Sequence, residues 1–324
     1  MKISEQLRGA LRLRHCSLRT EQCYVGWYVR YVKFHGTRHP GEMGAGEVQA
    51  FLTHLAAERD VSASTQNQAL NALVFLYKHV LNQPLGELNM LRAQRKPRMP
   101  VVLSPEETRR ILDAMKGVAA LQTRLLYGCG LRLMECLRLR IKDVDPDAGV
   151  LTVRGGKGDK DRVLTLPASV RPELQRQMEY ARSLYEADKA ASRTGVEMPA
   201  GLENKAPAWA HEWAWFWLFP ADHHSHDPRT DLIRRHHQHE VNLSRAIQRA
   251  AEVAAVPKKV TAHTFRHSYA THLMMRGVNI RSIQEALGHA NVQTTEIYTH
   301  VVKAMQGALR SPLDDLPQRE GAAN

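Results

Sequence analysis

The sequence lacks any run of about 18 apolar residues, the length a helix needs to cross a bilayer. Its opening stretch, MKISEQLRGALRLRH, has no apolar segment of the kind that directs secretion. Cysteine is scarce: Cys16, Cys23, Cys129 and Cys136 are the four thiols in 324 residues. Without an export signal they are expected to be reduced, in a cytoplasmic protein. Cys129 and Cys136 fall on one helical face, which points to core packing. Acidic residues are outnumbered, 33 Asp and Glu against 45 Lys and Arg, for a net charge of +12. The resulting pI near 9.7 favours a polyanionic partner. A membrane surface is the rival, but no basic amphipathic helix with an aromatic face stands out. The glycine-rich GGKGDKD segment lacks the G-x-x-x-x-G-K-[ST] pattern of a phosphate-binding loop, so nucleotide binding is not supported. No internal repeat is present.

What is there suffices for two domains with sizeable cores, since 43% of residues are hydrophobic. Tyr24, Trp27, Tyr28, Tyr31 and Val32 recur at helical spacing, as do Val48, Phe51, Leu52 and Leu55. Leu70, Leu73, Val74, Tyr77, Val80 and Leu81 predict a further helix, begun by Ser62 or Ser64 and stopped before Pro84. The aromatic stripe reads as core. Residues 1–90 are therefore expected to be a small helical bundle with Arg30, Lys33 and Arg38 outside. LRAQRKPRMP, 91–100, reads as an extended basic linker.

A second domain is expected over 101–312, with a flexible tail over 313–324. Ser104-Pro105-Glu106-Glu107 is a helix start with a capping serine, a proline in the first turn and a returning glutamate. Gly128 and Gly130 permit a turn before a helix marked by Leu133, Met134, Leu137 and Ile141. Arg132 would open that helix, where free backbone donors and the dipole favour an anion. Residues 150–154 and 162–166 read as two strands joined by the glycine-rich turn. In residues 261–300, Tyr269, Leu273 and Met274 share a helical face that Gly277 can end. Ile280, Ile283 and Leu287 mark the next helix, capped by Asn279 and closed by Gly288. Asn291 can cap a third, carrying Tyr298. His263, Arg266, His289 and Tyr298 then sit near helix ends or on a polar face. Arginine forks and imidazole N–H groups suit the charge that develops on a phosphodiester being cut. A tyrosine hydroxyl can be the nucleophile, with local help because its ordinary pKa is about 10.

H-x-x-R at 263–266, L-G-H at 287–289 and Tyr298 nine residues on resemble the signature of tyrosine recombinases. The resemblance implies a mainly α fold: a helical core-binding domain that clamps DNA, then an α+β catalytic domain with a small antiparallel sheet. It implies Tyr298 as nucleophile, forming a 3′-phosphotyrosine, with Arg132 and Arg266 on the phosphate oxygens. His263 would aid proton transfer and His289 would hydrogen-bond the phosphate. G-x-G-L-R-x-x-E at 128–135 matches the family's first arginine, with Glu135 orienting Arg132 from behind. Lys157, in G-K-G, would protonate the departing 5′ oxygen, and Lys160 is the neighbouring alternative. No ATP, metal or other cofactor is implied. A homotetramer on two DNA sites is, with residues 301–309 available to dock on a neighbouring protomer. A type IB topoisomerase-like enzyme and an inactive DNA-binding relative remain open.

Residues 180–240 exceed a minimal member of that family. Polar sequence gives way to WAHEWAWFWLFP and then to DHHSHDPRT and RRHHQHE. Histidine clusters can hold zinc, but regular Cys/His ligand spacing is missing, so no metal is expected. Trp217 and Phe219 suit a buried strand. Aromatic and imidazole rings also suit stacking by unpaired bases. S-x-D-P-R at 225–229 and R-R-H-H at 234–237 resemble the integron integrases, whose extra segment reads extrahelical bases. That resemblance implies gene-cassette integration and excision at a duplex attachment site and a folded single-stranded cassette site. Trp215, His236 and His237 are the candidates for base contact.

Overall fold

The structure is a computed structural model that describes residues 2–86, 99–155, 161–199, 201–289, 291, 294–296, 298–299 and 302. Residues 91–98 of the expected linker over 91–100, Lys157, Lys160, the docking segment 301–309 apart from residue 302, and the tail lie outside the described residues. The chain divides into two compact units, Met1–Arg98 and Met99–Asn324.

The first unit is helical: α1 (Ile3–Arg12), α2 (Leu18–Phe34), α3 (Ala45–Ala57) and α4 (Ala63–His79). Ser17 and Ser62 cap α2 and α4 by accepting from backbone N–H groups three residues on. The aromatic stripe of α2 faces inward, with Trp27 and Tyr31 buried beside Phe51, Leu73 and Tyr77. Two buried phenols satisfy each other, Tyr31 and Tyr77 at 2.9 Å, and Tyr77 donates to the Pro40 carbonyl. Arg30, Lys33 and Arg38 are exposed. The short α1, which carries no long apolar stripe, was not anticipated; it buries Leu7 and Leu11 and lends Arg8 and Arg12 to the buried Glu21.

The second unit runs through α5 (Pro105–Ala114), α6 (Gly117–Gly128) and α7 (Leu133–Leu137) into β1 (Val144–Asp145), β2 (Val150–Val153) and β3 (Arg162–Thr165). These strands form one antiparallel sheet in the order β1-β2-β3. Then come α8 (Arg171–Ala190), α9 (Leu202–Lys205), a hairpin of β4 (Pro220–His226) and β5 (Ile233–His237), and α10 (Glu240–Val253), α11 (Ala262–Met275) and α12 (Ile280–Leu287). Residues 294–296 and 298–299 are helical. Cys129 and Cys136 are buried in the core with Leu125, Leu137 and Phe265.

Two differences from the expectation concern the extra segment. Trp217 and Phe219 are buried, but in an extended link that bridges Arg140 rather than in a strand of their own. The histidine-rich stretches, read only as side chains, form the β4–β5 hairpin. Buried Arg234 and Arg235 on β5 tie it to α9 and α8 by pairing with Glu203 and Asp188. Among the described residues, no helix is long and apolar enough to cross a membrane.

Candidate active site

The site grows from the C-terminal end of α12. Gly288 closes that helix in the left-handed region, at φ 62°, and the N–H groups of Gly288 and His289 turn back to Glu285 and Gln284. The last carbonyls of a helix have no partner within it and carry the negative end of its dipole. Here three arginines take three successive ones. Arg162 Nε donates to Ala286 at 2.9 Å, Arg266 Nη2 to Leu287, and Arg132 Nη2 to Gly288 at 3.2 Å. Arg266 Nη1 also donates to the Gly130 carbonyl. Gly130 has φ +63°, and a side chain there would meet the Tyr269 ring 2.5 Å away, so only glycine lets the turn before Arg132 lie against α11.

Glu135 holds the guanidinium groups from beneath. It accepts from the Arg132 backbone N–H at 2.8 Å, from Arg132 Nη1 at 2.6 Å and from Arg162 Nη2 at 2.6 Å. Burial would raise its pKa, but the hydrogen bonds from Arg162 and Arg132 prevail and hold it at about 2. Burial and the charge of Arg132 lower Arg266 to about 10, so Arg266 stays cationic at neutral pH.

Three imidazoles surround this pair. His263 is exposed in the first turn of α11, which Thr261 caps. Desolvation of its ring, then Arg266 and Arg132, lower its pKa. His289 is held at about 4, first by burial and then by the same two arginines, so it is neutral at pH 7. Its Nδ1 lies 3.0 Å from the Thr295 hydroxyl. With Thr295 donating, Nε2 carries the proton and can donate to a phosphate oxygen. His267, one helical turn after His263, places Nδ1 2.7 Å from the Tyr298 hydroxyl. Tyr298 is buried; burial raises its pKa, while the charges of Arg266 and Arg132 pull the other way.

The structure thus brings Arg132, Glu135, His263, Arg266, His289 and Tyr298 into one site. His267, Arg162 and Thr295 were not anticipated. His267 and Thr295 had a signal, since helical spacing puts them beside His263 and Tyr298. Arg162 had none, because its partners are 27 and 124 residues away.

A family model described as "Phage integrase family" matches residues 101–305, and one described as "Phage integrase, N-terminal SAM-like domain" matches residues 3–87. The chain belongs to the phage integrase family. It is a tyrosine recombinase. An "Integrase/recombinase" of Escherichia coli is 49% identical over 98% of this chain and 94% of its own length. The "Tyrosine recombinase XerA" of Thermococcus kodakarensis is 31% identical over 93% of this chain and 91% of its own. In fold, this phage integrase family member is similar to the XerH site-specific recombinase bound to its palindromic difH substrate, with a TM-score of 0.63 at 22% identity, covering 96% of this chain and 85% of that one. It is also similar to a lambda integrase dimer bound to a COC′ core site, with a TM-score of 0.59 at 16% identity, covering 91% and 93%. Those neighbours share the architecture of a helical domain followed by a mainly helical catalytic domain with small antiparallel sheets.

The base-contact candidates lie elsewhere in the integrase's second unit, in a ladder of rings and cations. Trp209 stacks on Trp215 at 5.4 Å. Lys142 Nζ sits 2.9 Å from the Trp215 ring centre, Arg140 lies 4.0 Å from that of Trp217, and Trp217 meets His237 edge-on at 5.3 Å. Trp215 is only 9% exposed, so it offers no free face for a base; the outer ring is Trp209, 40% exposed. His237 is half-buried, with Nδ1 on the Gln238 carbonyl, and burial lowers it to about 4. His236 is half-buried with Nδ1 3.9 Å from Glu197. Among the described residues, no group of three or more His, Cys, Asp or Glu side chains is arranged to hold a metal.

Proposed function

We propose that this integrase cuts and rejoins DNA through a 3′-phosphotyrosine on Tyr298 and works as an integron integrase, inserting and excising gene cassettes. The observation that carries the first part is the pair Arg132 and Arg266, fixed at the end of α12 with the Tyr298 hydroxyl inside their field. A phosphodiester seated on the pair gains two cationic donors for its non-bridging oxygens, whose negative charge grows as the phosphorus becomes five-coordinate. His289 donates to the phosphate, His263 aids proton transfer, and Lys157 protonates the departing 5′ oxygen. The 5′-hydroxyl of another strand reverses the step. Bond energy is conserved in the ester, so the cycle needs neither ATP nor metal. DNA as partner is supported by the net charge of +12 and by the DNA-bound complexes of the fold's neighbours. Four protomers on two sites form the working assembly, with domains over 1–90 and 101–312.

The integron reading rests on residues 180–240. Trp209, stacked on Trp215, which Arg140 and Lys142 back, is a platform for an unpaired base; His236 and His237 are further candidates on β5. Incubation with each strand of a cassette site, resolved on a denaturing gel, tests both parts. A covalent adduct is expected on one folded strand and not on its complement, and none with Tyr298→Phe although DNA is still bound. An adduct with Tyr298→Phe at the wild-type level overturns the nucleophile. Equal use of both strands removes the integron reading and leaves the recombinase one. Supercoil relaxation without exchange between two sites would favour the topoisomerase-like alternative.

A further inference from the structure

The mechanism leaves open which group removes the phenolic proton. The Tyr298 hydroxyl meets His267 Nδ1 at 2.7 Å, with the two rings inclined at 52°. His263 stands one turn earlier on α11, its ring centre 6.4 Å from that of His267. His267 immediately follows Arg266, whose guanidinium is tied to the carbonyls of Gly130 and Leu287. The backbone that places the phosphate-binding cation therefore also places this imidazole. We propose that His267 accepts the Tyr298 proton as the phosphotyrosine bond forms, and returns it when the ester is resealed.

The step balances. The Tyr298 oxygen bonds to phosphorus, the bond from phosphorus to the 5′ oxygen breaks, and the phenolic proton passes to His267 Nδ1. The leaving 5′ oxygen takes its proton from a separate acid. The reverse step uses the same imidazolium as the acid that frees tyrosine.

The surroundings make this transfer depend on substrate. His267 is faced by His263 and Arg266 from its own helix, by Tyr298, and by His289 beyond α12. Burial, then His263 and Arg266, hold its pKa at about 4. In the free protein the imidazole is neutral; with its proton on Nε2, the Nδ1 lone pair accepts from the phenol, and the proton stays on the phenol. A phosphodiester on Arg132 and Arg266 brings negative charge beside those cations, which raises the basicity of His267 as the hydroxyl meets its target. Phenolate formation is thus withheld until DNA is in place.

This inference rests on Tyr298 being the nucleophile, and the test separates the two. The substrate is a nicked duplex carrying a randomised core, from which sequences that give a wild-type adduct are recovered and used throughout. His267→Asn keeps an acceptor near the Nδ1 position but cannot take a full proton. At neutral pH its adduct should form about 100-fold more slowly, with DNA retention and melting temperature unchanged. Its rate should climb with pH more steeply than the wild type's, and added imidazole should restore part of the activity of His267→Gly. Adduct formation by His267→Asn at close to the wild-type rate overturns the proposal. A loss that neither pH nor imidazole relieves also overturns it, because the residue then only packs. If Tyr298→Phe still forms the adduct, the nucleophile reading fails first and this inference falls with it.

Discussion

Arg162 sets one guanidinium nitrogen 2.6 Å from the Glu135 carboxylate and another 2.9 Å from the Ala286 carbonyl. It thereby joins β3, α7 and the end of α12, the three elements that present Arg132 and the segment entering His289. Like charges so close repel, and they are stable together for two reasons. Each neutralises part of the α12 terminal dipole, and Glu135 lies within 3.9 Å of all three. The cradle is therefore assembled before any phosphate arrives, so binding energy is not spent on ordering it.

Arg162 is thus a positioning residue. Arg162→Ala should destabilise the protein by about 3 kcal/mol, because Glu135 loses a buried charged partner. Arg162→Lys should recover only part of that, since an ammonium cannot fork between a carboxylate and a carbonyl. Urea denaturation of the three proteins measures both. Single-turnover adduct formation by the lysine variant should be slowed with little change in DNA retention. An unchanged rate would show that the cradle holds its shape without the fork.

The acid limb of stability follows from the same groups. His267 and His289 both lie at about 4 in the fold, below the ordinary histidine value, so the folded state prefers them neutral. Their contribution is complete above about pH 6.5 and is lost as pH falls toward 4. Glu135, held at about 2, adds a contribution present above about pH 4.5 and lost as pH falls toward 2. That shift corresponds to about 3 kcal/mol. Stability against urea, measured across the range, should decline in two stages. Glu135→Gln should remove the lower stage and leave the upper one, and a variant that kept both would separate the loss from this carboxylate.

Where the sequence was legible, the signals were local. Ser104 with Glu107, Asn279 and Gly288 are helix-end residues whose chemistry acts within a turn, and the structure uses each at that end. The motif residues of the site were legible because the recombinase pattern spaces them. The arrangement at the end of α12 was not. Whether an arginine on β3 reaches a carbonyl on α12 depends on how two distant elements pack, which no periodicity records. The extra segment shows the same limit. Its tryptophans were visible, but which ring is covered is a tertiary fact. Trp215 is buried because Arg140, from the turn after α7, donates to its carbonyl at 2.6 Å and lies over its ring.

That covered ring directs the last prediction to its neighbour. Trp209 exposes a face while its other side rests on Trp215, with Lys142 against the ring beneath. A base added to the outer face would extend a stack already held in place, so little ordering opposes it. Stacking of one base is worth about 1–3 kcal/mol, which corresponds to roughly 5- to 150-fold in affinity. Trp209→Ala should weaken retention of a folded cassette strand by that factor and leave duplex binding unaltered. Trp215→Ala should instead lower the melting temperature, since it opens a cavity beside Arg140 and Trp217. Gel shifts on the two DNA forms, with thermal denaturation of both variants, check the division. Equal weakening on strand and duplex by Trp209→Ala would make the ring a general DNA contact and leave the unpaired base to be read by His236 and His237.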